Sequence, residues 1–393
     1  MMTSSTQQST RLSKRVSSIK PSGIRRFFDL ASKMENIISL GVGEPDFVTP
    51  WNVREASISS MERGFTAYSA NAGIIELREA IAHYLYERFH VRYDPETEIL
   101  VTVGASEAID IGMRTILDDG DEVIIVEPTF VSYAPLVTMA GGVPVPVGTK
   151  IEDNFQVSAA QIEAVITPRT KAVMLCFPNN PTGSIMGREE LEKIAKVAEK
   201  HDLIVFSDEI YAELTYDAEH VSFATLEGMR DRTILISGFS KAFAMTGWRL
   251  GYVAAPPDLL GAMLKIHQYS LMCAPTMAQH GALEALKSGM EDMRKMVQSY
   301  KQRRNFVVKS FAEIGLTCHT PGGAFYAFPS VKNTGLTSEE FAEKLLLQER
   351  VAVVPGNVFG EGGEGHIRCS YATSMENLEA SIERIGRFIK QYQ

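Results

Sequence analysis

Residues 171–211 read KAVMLCFPNNPTGSIMGREELEKIAKVAEKHDLIVFSDEIY, and the architecture follows from this stretch. Ala172–Phe177 and most of Leu203–Ser207 are apolar without alternation, the pattern of strands buried on both faces of a mainly parallel sheet. Between them, Arg188–Lys200 places Leu191, Ile194, Ala195 and Ala198 on one stripe of a helix. Strand, helix, strand is the repeating unit of a layered α/β domain. Similar short runs recur outward at Ile99–Val103, Glu122–Val126, Thr233–Ser237 and Leu250–Ala254, with amphipathic segments between them. The expectation is a three-layer α/β/α domain on a mainly parallel sheet.

Past Ala255 the pattern changes. A helical stretch over roughly Leu259–Ile314, broken near Cys273–Pro275, leads into AFYAFPS, a helix at Ser338–Gln348, VAVVPG, HIRCSYA and a last helix at Met375–Gln391. This reads as a smaller α+β domain that the N-terminal segment helps complete. The expected division is an arm and part of the small domain over 1–47, a large domain over 48–295 and a small domain over 296–393.

Composition narrows the function. A net charge of −9 argues against nucleic acid or an anionic membrane as the main partner. No apolar run approaches the length of a membrane span, and the polar first twenty residues lack a secretory apolar core, so they read as a partly disordered arm. Cys176, Cys273, Cys318 and Cys369 stand singly, which suits a reducing cytoplasm and neither a zinc knuckle nor a disulfide framework. The eight histidines show no ligand spacing, so no metal site is expected. Gly360–Gly365 (GEGGEG) formally matches a dinucleotide fingerprint, but a strand pattern follows it where a helix is required, which removes the dehydrogenase reading.

Four clusters carry chemistry. In Ser237–Tyr252, SGFSKAFAMTGWRLGY, Lys241 follows a strand and stands among Phe239, Ala242, Phe243 and Met245. A lone lysine is ordinarily a surface residue; apolar surroundings disfavour its ammonium form and leave a nucleophilic amine for a Schiff base. Arg249, eight residues on, is a permanent cation suited to a phosphate. Asp208 and Tyr211, in SDEIY, also follow a strand, where open α/β sheets bind ligands. Asp208 either caps the next turn or meets a cationic partner. PNNPTG (Pro178–Gly183) is a proline-fixed turn. Gly104–Glu107 joins a strand to a helix whose N-terminus, with Ser106 as N-cap or near it, can hold an anion.

These clusters, with GEPDF, TAYSANAG–LREAIA, VTVGASEAI and VVPGNVFG–GEGHIRCSYA in order from about Gly41 to the C-terminus, resemble the class I aminotransferases of pyridoxal 5′-phosphate (PLP) fold type I. The resemblance implies PLP as cofactor and a ping-pong transaminase as the activity, with the 2-oxoglutarate/glutamate pair expected. Lys241 looks like the lysine that holds the cofactor as a Schiff base and moves the substrate proton. Asp208 would pair with the pyridine nitrogen, and Tyr211 and Asn180 would bond the ring's 3′-oxygen. Arg249, Ala105, Ser106 and either Ser237 or Ser240 would hold the phosphate; spacing does not choose between the two serines. Phe130 stands at the ring-stacking position. Tyr68 resembles the tyrosine that reaches the neighbouring subunit's phosphate, which implies a homodimer with shared sites. Arg368 would clamp the substrate carboxylate, with Gly43 lying over the substrate.

Phe130 replaces the Trp or Tyr of many relatives, and Ser106 replaces a lysine that some aspartate-specific relatives use, which counts against strict aspartate specificity. GEPDFVTPWNVREA, AMLKIHQYSLMCAP and HTPGGAFYAFPS look like bacterial aminotransferases acting on N-acetyl-L,L-2,6-diaminopimelate in lysine biosynthesis. The alternatives are an aspartate or aromatic aminotransferase and a carbon–sulfur β-lyase on the same cofactor. A non-catalytic PLP-binding regulator is disfavoured, because the N-terminal arm is too short for a helix-turn-helix domain.

Overall fold

The computed structural model describes residues 11–21, 23 and 34–392; part of the expected N-terminal segment, residues 1–10, 22 and 24–33, lies outside the described residues. A two-residue strand, β1 (Ile38–Ser39), precedes the large sheet. The sheet comprises β2 (Ile99–Thr102), β3 (Glu122–Glu127), β4 (Val143–Gly148), β5 (Thr170–Cys176), β6 (Ile204–Asp208), β7 (Thr233–Gly238) and β8 (Gly251–Ala254), in the order β2-β8-β7-β6-β5-β3-β4. All neighbours are parallel except β8, which runs antiparallel to both β7 and β2.

Alternate residues of the strands enter different cores, which produces the layers. Val123, Ile125, Ala172, Met174, Ile234 and Ile236 pack with the helices Ala105–Ile116, Tyr133–Ala140 and Pro257–Ser270. Ile124, Val126, Val173, Leu175 and Val205 pack instead with the stripe of helix Arg188–Lys200. A third cluster joins β2 and β8 to the helices Ile75–Phe89 and Thr276–Ser288. The three-layer expectation therefore holds.

One strand escaped the sequence pattern. β4 carries Pro144 and Pro146, which remove ladder donors. Its place at the sheet edge, paired only with β3, tolerates them. The long helical stretch divides into Pro257–Ser270, Thr276–Ser288 and Met290–Glu313, with a second break at Gly289 beside the expected one.

Beyond the large sheet, β9 (Tyr326–Ala327), β11 (Val354–Pro355) and β12 (Ile367–Ser370) form an antiparallel sheet in the order β11-β12-β9, and β10 (Val351–Ala352) pairs in parallel with β1. Tyr300, Phe311, Phe325, Phe341, Ile385 and Phe388 fill their common core. Helix Met290–Glu313 spans both units, since Met293 packs with the large-sheet helices and Met296 with this second core. The Gly360–Gly365 segment is a short 3₁₀ turn leading into β12.

Candidate active site

Three adjacent parallel strands end side by side. Cys176 of β5 registers with Asp208 of β6, and Asp208 with Ile236 of β7. The PNNPTG turn, SDEIY and the Lys241 turn thus open on one cavity of about 350 Å³.

Lys241 is aimed into it by a turn anchored on both sides. Phe239, Ala242, Phe243 and Met245 are buried, and Gly238 lies so close to β8 that an added Cβ would stand 2.8 Å from the Gly251 Cα. Ala244 and Arg249 take positive φ of 51° and 53°, which bends the chain back toward the cavity. The Lys241 Nζ donates to the Gly43 carbonyl at 2.6 Å. Burial lowers its pKa to about 8, against the pull of Glu44, while Arg368 and Arg249 add to the lowering. The site therefore brings the neutral amine within reach near neutral pH.

Asp208 both caps its turn and faces the cavity. One oxygen accepts from the Ile210 N–H at 3.1 Å and the other from the Tyr133 hydroxyl at 2.6 Å. Burial pushes its pKa up to about 6, and the Tyr133 donation holds that rise back. The Tyr211 hydroxyl lies 2.9 Å from that of Tyr326, and burial, then the neighbouring phenol, raises its pKa.

Arg368, on β12, reaches the cavity from the other unit. Its Nη1 donates to Asn180 Oδ1 at 3.0 Å and its Nη2 to the Gly41 carbonyl at 2.6 Å. The guanidinium sits over the rings of Tyr326 and Phe359 at 4.6 and 5.0 Å. Its buried Nε has no partner among the described residues. Burial lowers its pKa, but guanidinium remains charged at any working pH.

At the opposite end, Gly104 is the N-cap of helix Ala105–Ile116 with φ +77°, and Ala105 and Ser106 open that helix and line the cavity. Ser106 is thus the second helical residue rather than the cap. Arg249 lies against this turn, for a Cβ on Gly104 would stand 2.7 Å from its Nη2. Phe130 lines the wall edge-on to Tyr133.

Of the expected residues, Lys241, Asp208, Tyr211, Asn180, Ala105, Ser106, Phe130, Ser240, Arg249, Arg368 and Gly43 meet in this cavity. Ser237 and Tyr68 do not line it. The Ser237 hydroxyl donates to the Glu209 carbonyl at 3.3 Å, and Tyr68 is 81% exposed. Sequence reasoning passed over Tyr133, Tyr326 and Gly41. The two tyrosines had a signal: each stands in an apolar segment where its hydroxyl needs a partner.

A family model described as aminotransferase class I and II matches residues 35–385. The chain is 63% identical over 378 residues to the putative aminotransferase YugH of Bacillus subtilis, covering 96% of this chain and 98% of that one. It is 44% identical to the probable N-acetyl-LL-diaminopimelate aminotransferase of the same organism, covering 94% of each. The crystal structure of an aromatic aminotransferase from Pyrococcus horikoshii superposes with a TM-score of 0.89 at 45% identity, covering 94% of this chain and 99% of that one. With Lys241, Asp208, Arg249 and Arg368 gathered in one cavity and these matches over nearly its whole length, the chain belongs to the class I and II aminotransferase family and is a PLP-dependent transaminase.

Proposed function

We propose that this protein moves an amino group from an amino acid to a 2-oxo acid in two half-reactions, with glutamate and 2-oxoglutarate as one pair. The observation that carries the reading is the meeting of Lys241, Asp208 and Arg368 in one cavity. PLP, when bound, supplies an aldehyde that joins to amines and a ring that takes up electrons.

The residues suit the parts of that molecule. Lys241 offers an amine with a depressed pKa to the aldehyde. Asp208 is a buried carboxylate suited to a protonated ring nitrogen. Arg249 and the helix start at Ala105–Ser106 offer a cation and free N–H groups to the phosphate. Ser240 is the better of the two candidate serines, since it lines the cavity while Ser237 is engaged with Glu209. Tyr211 and Asn180 would bond the ring's 3′-oxygen, and Phe130 would cover a ring face. Arg368, whose Nε is unpartnered among the described residues, would bind the substrate carboxylate, and Gly43 would lie over the substrate. Released when the substrate amine takes its place, Lys241 would take the proton from the substrate Cα and return it at the cofactor's C4′.

N-acetyl-L,L-2,6-diaminopimelate, in lysine biosynthesis, is the first substrate proposed, supported by the three segments quoted above. A second reading is an aromatic side chain. The lining cations are Lys241, Arg249 and Arg368, so among the described lining residues none is left for a side-chain carboxylate, while Phe130 and Tyr326 offer aromatic faces. Subunit pairing is supported by an exposed apolar face. Tyr68, Tyr269, Leu271 and Met272 are exposed, and Asn71 ties the two segments by donating to the Met272 carbonyl at 2.7 Å. The assembly proposed is a homodimer in which Tyr68 reaches the partner's phosphate. The four free thiols suit the cytoplasm.

The test is the visible absorbance of the purified protein before and after L-glutamate alone. A yellow band that bleaches and returns with 2-oxoglutarate supports both half-reactions. An unchanged band reopens the donor, the lyase and the regulator, and pyruvate released from cystathionine without an acceptor favours the lyase. Lys241→Ala is expected to fold and to lose turnover.

A further inference from the structure

Behind the turn that joins β2 to helix Ala105–Ile116 lies a buried pair that the chemistry above does not use. Glu107 Oε1 sits 2.5 Å from Nδ1 of His267, and Glu107 Oε2 accepts from the Val103 N–H at 2.5 Å. The His267 side chain is wholly buried and that of Glu107 nearly so. His267 Nε2 has no partner among the described residues. Burying such a pair costs more than apolar packing of the same volume, so local stability alone is a poor reason for it.

Its position supplies a better one. Val103 and Glu107 flank Gly104–Ser106, the residues that form the cradle beside Arg249. Gly104 at the N-cap has no side chain with which to cap this helix. Glu107 does related work from its third position by reaching back to a backbone N–H ahead of the N-cap, as the glutamate of a capping box does. The Thr102 hydroxyl holds the Gly104 carbonyl at 3.0 Å. His267 is itself fixed, since its carbonyl accepts from the N–H groups of Leu271 and Met272 at 2.9 and 3.0 Å.

We propose that Glu107 and His267 are positioning residues for the phosphate end of the cofactor: His267 holds the Glu107 carboxylate, which clamps the Val103 N–H and fixes the turn that presents Ala105 and Ser106. This rests on the reading that the phosphate lies at Ala105–Ser106. Neither residue touches the cofactor or substrate; both act through the backbone of the turn.

The test titrates the apoprotein with PLP and, separately, with pyridoxal, which lacks the phosphate, following visible absorbance. His267→Leu is expected to weaken PLP about tenfold, the worth of one hydrogen bond to a charged group, and pyridoxal by less than about twofold. His267→Asn, which keeps an N–H near the place of Nδ1, is expected to recover most of the loss. Equal losses for the two ligands, or none, overturn the proposal. If His267→Leu does not fold, Glu107→Gln keeps the shape without the charge, and a selective loss of about threefold is expected; an unchanged PLP preference there overturns it as well. Ser106→Ala separates the two readings. If it weakens PLP selectively while the His267 variants do not, the phosphate placement stands and the positioning role falls. If Ser106→Ala also leaves the preference for PLP unchanged, the phosphate placement falls and the proposal with it.

Discussion

The Tyr133 hydroxyl donates to Oδ2 of Asp208 at 2.6 Å, where both side chains are buried. A short bond to an ionised acceptor in a dry site is among the stronger hydrogen bonds. It opposes the burial that raises the proton affinity of Asp208. Tyr133 therefore keeps available the charge that a protonated ring nitrogen would meet.

Replacing Tyr133 with Phe removes that donor and raises the Asp208 pKa further. A carboxyl whose folded pKa lies above its unfolded value stabilises the fold below the unfolded pKa and loses that stabilisation as pH rises through the folded pKa. Apo Tyr133→Phe should therefore fall further behind wild type at pH 8 than at pH 4, by about 1.5–3 kcal/mol in urea titrations. A gap independent of pH would refute the charged bond.

Asp208→Asn tests the same linkage from the other partner. With the folded pKa near 6 against an ordinary 3.8, the wild-type apoprotein should lose stability relative to the Asn variant between about pH 4 and 6 and run parallel above about pH 7. The change is on the order of 3 kcal/mol. Parallel curves across the whole range would mean that the carboxyl is not desolvated.

Lys241 titrates near pH 8, so the rate of Schiff-base formation by the apoprotein should rise with a midpoint about there. Glu44 raises that pKa, and Glu44→Gln should move the midpoint down. A shift upward, measured by stopped-flow absorbance, would contradict the arrangement.

Tyr326 bonds the Tyr211 hydroxyl and lies under the Arg368 guanidinium. Tyr326→Phe keeps the ring and loses the bond, and kcat/KM should fall about fivefold, near 1 kcal/mol. Arg368→Ala should instead act mainly through KM for the amino acid. An unchanged KM in Arg368→Ala would exclude it as the carboxylate clamp.

Much of this was legible in the chain. The apolar runs and the stripe of helix Arg188–Lys200 are local patterns, set by which faces must leave water, and they specify the layers without any knowledge of contacts. β4 was hidden because Pro144 and Pro146 argue against a strand until its edge position is known. Ser106 reads as the cap or a position near it, and the structure chooses the second, with Gly104 at the cap.

The sequence by itself determined the α/β/α order, the turn bearing Lys241 and the carboxylate at Asp208, because each follows from neighbours a few residues apart. Only the tertiary structure decided that Tyr133 meets Asp208, Tyr326 meets Tyr211, Asn180 meets Arg368 and His267 meets Glu107, contacts spanning 75, 115, 188 and 160 residues. It also brought Ser240 rather than Ser237 to the cavity. Periodicity records which face of an element is buried; it carries nothing about which distant polar group waits there to satisfy a hydroxyl or a charge.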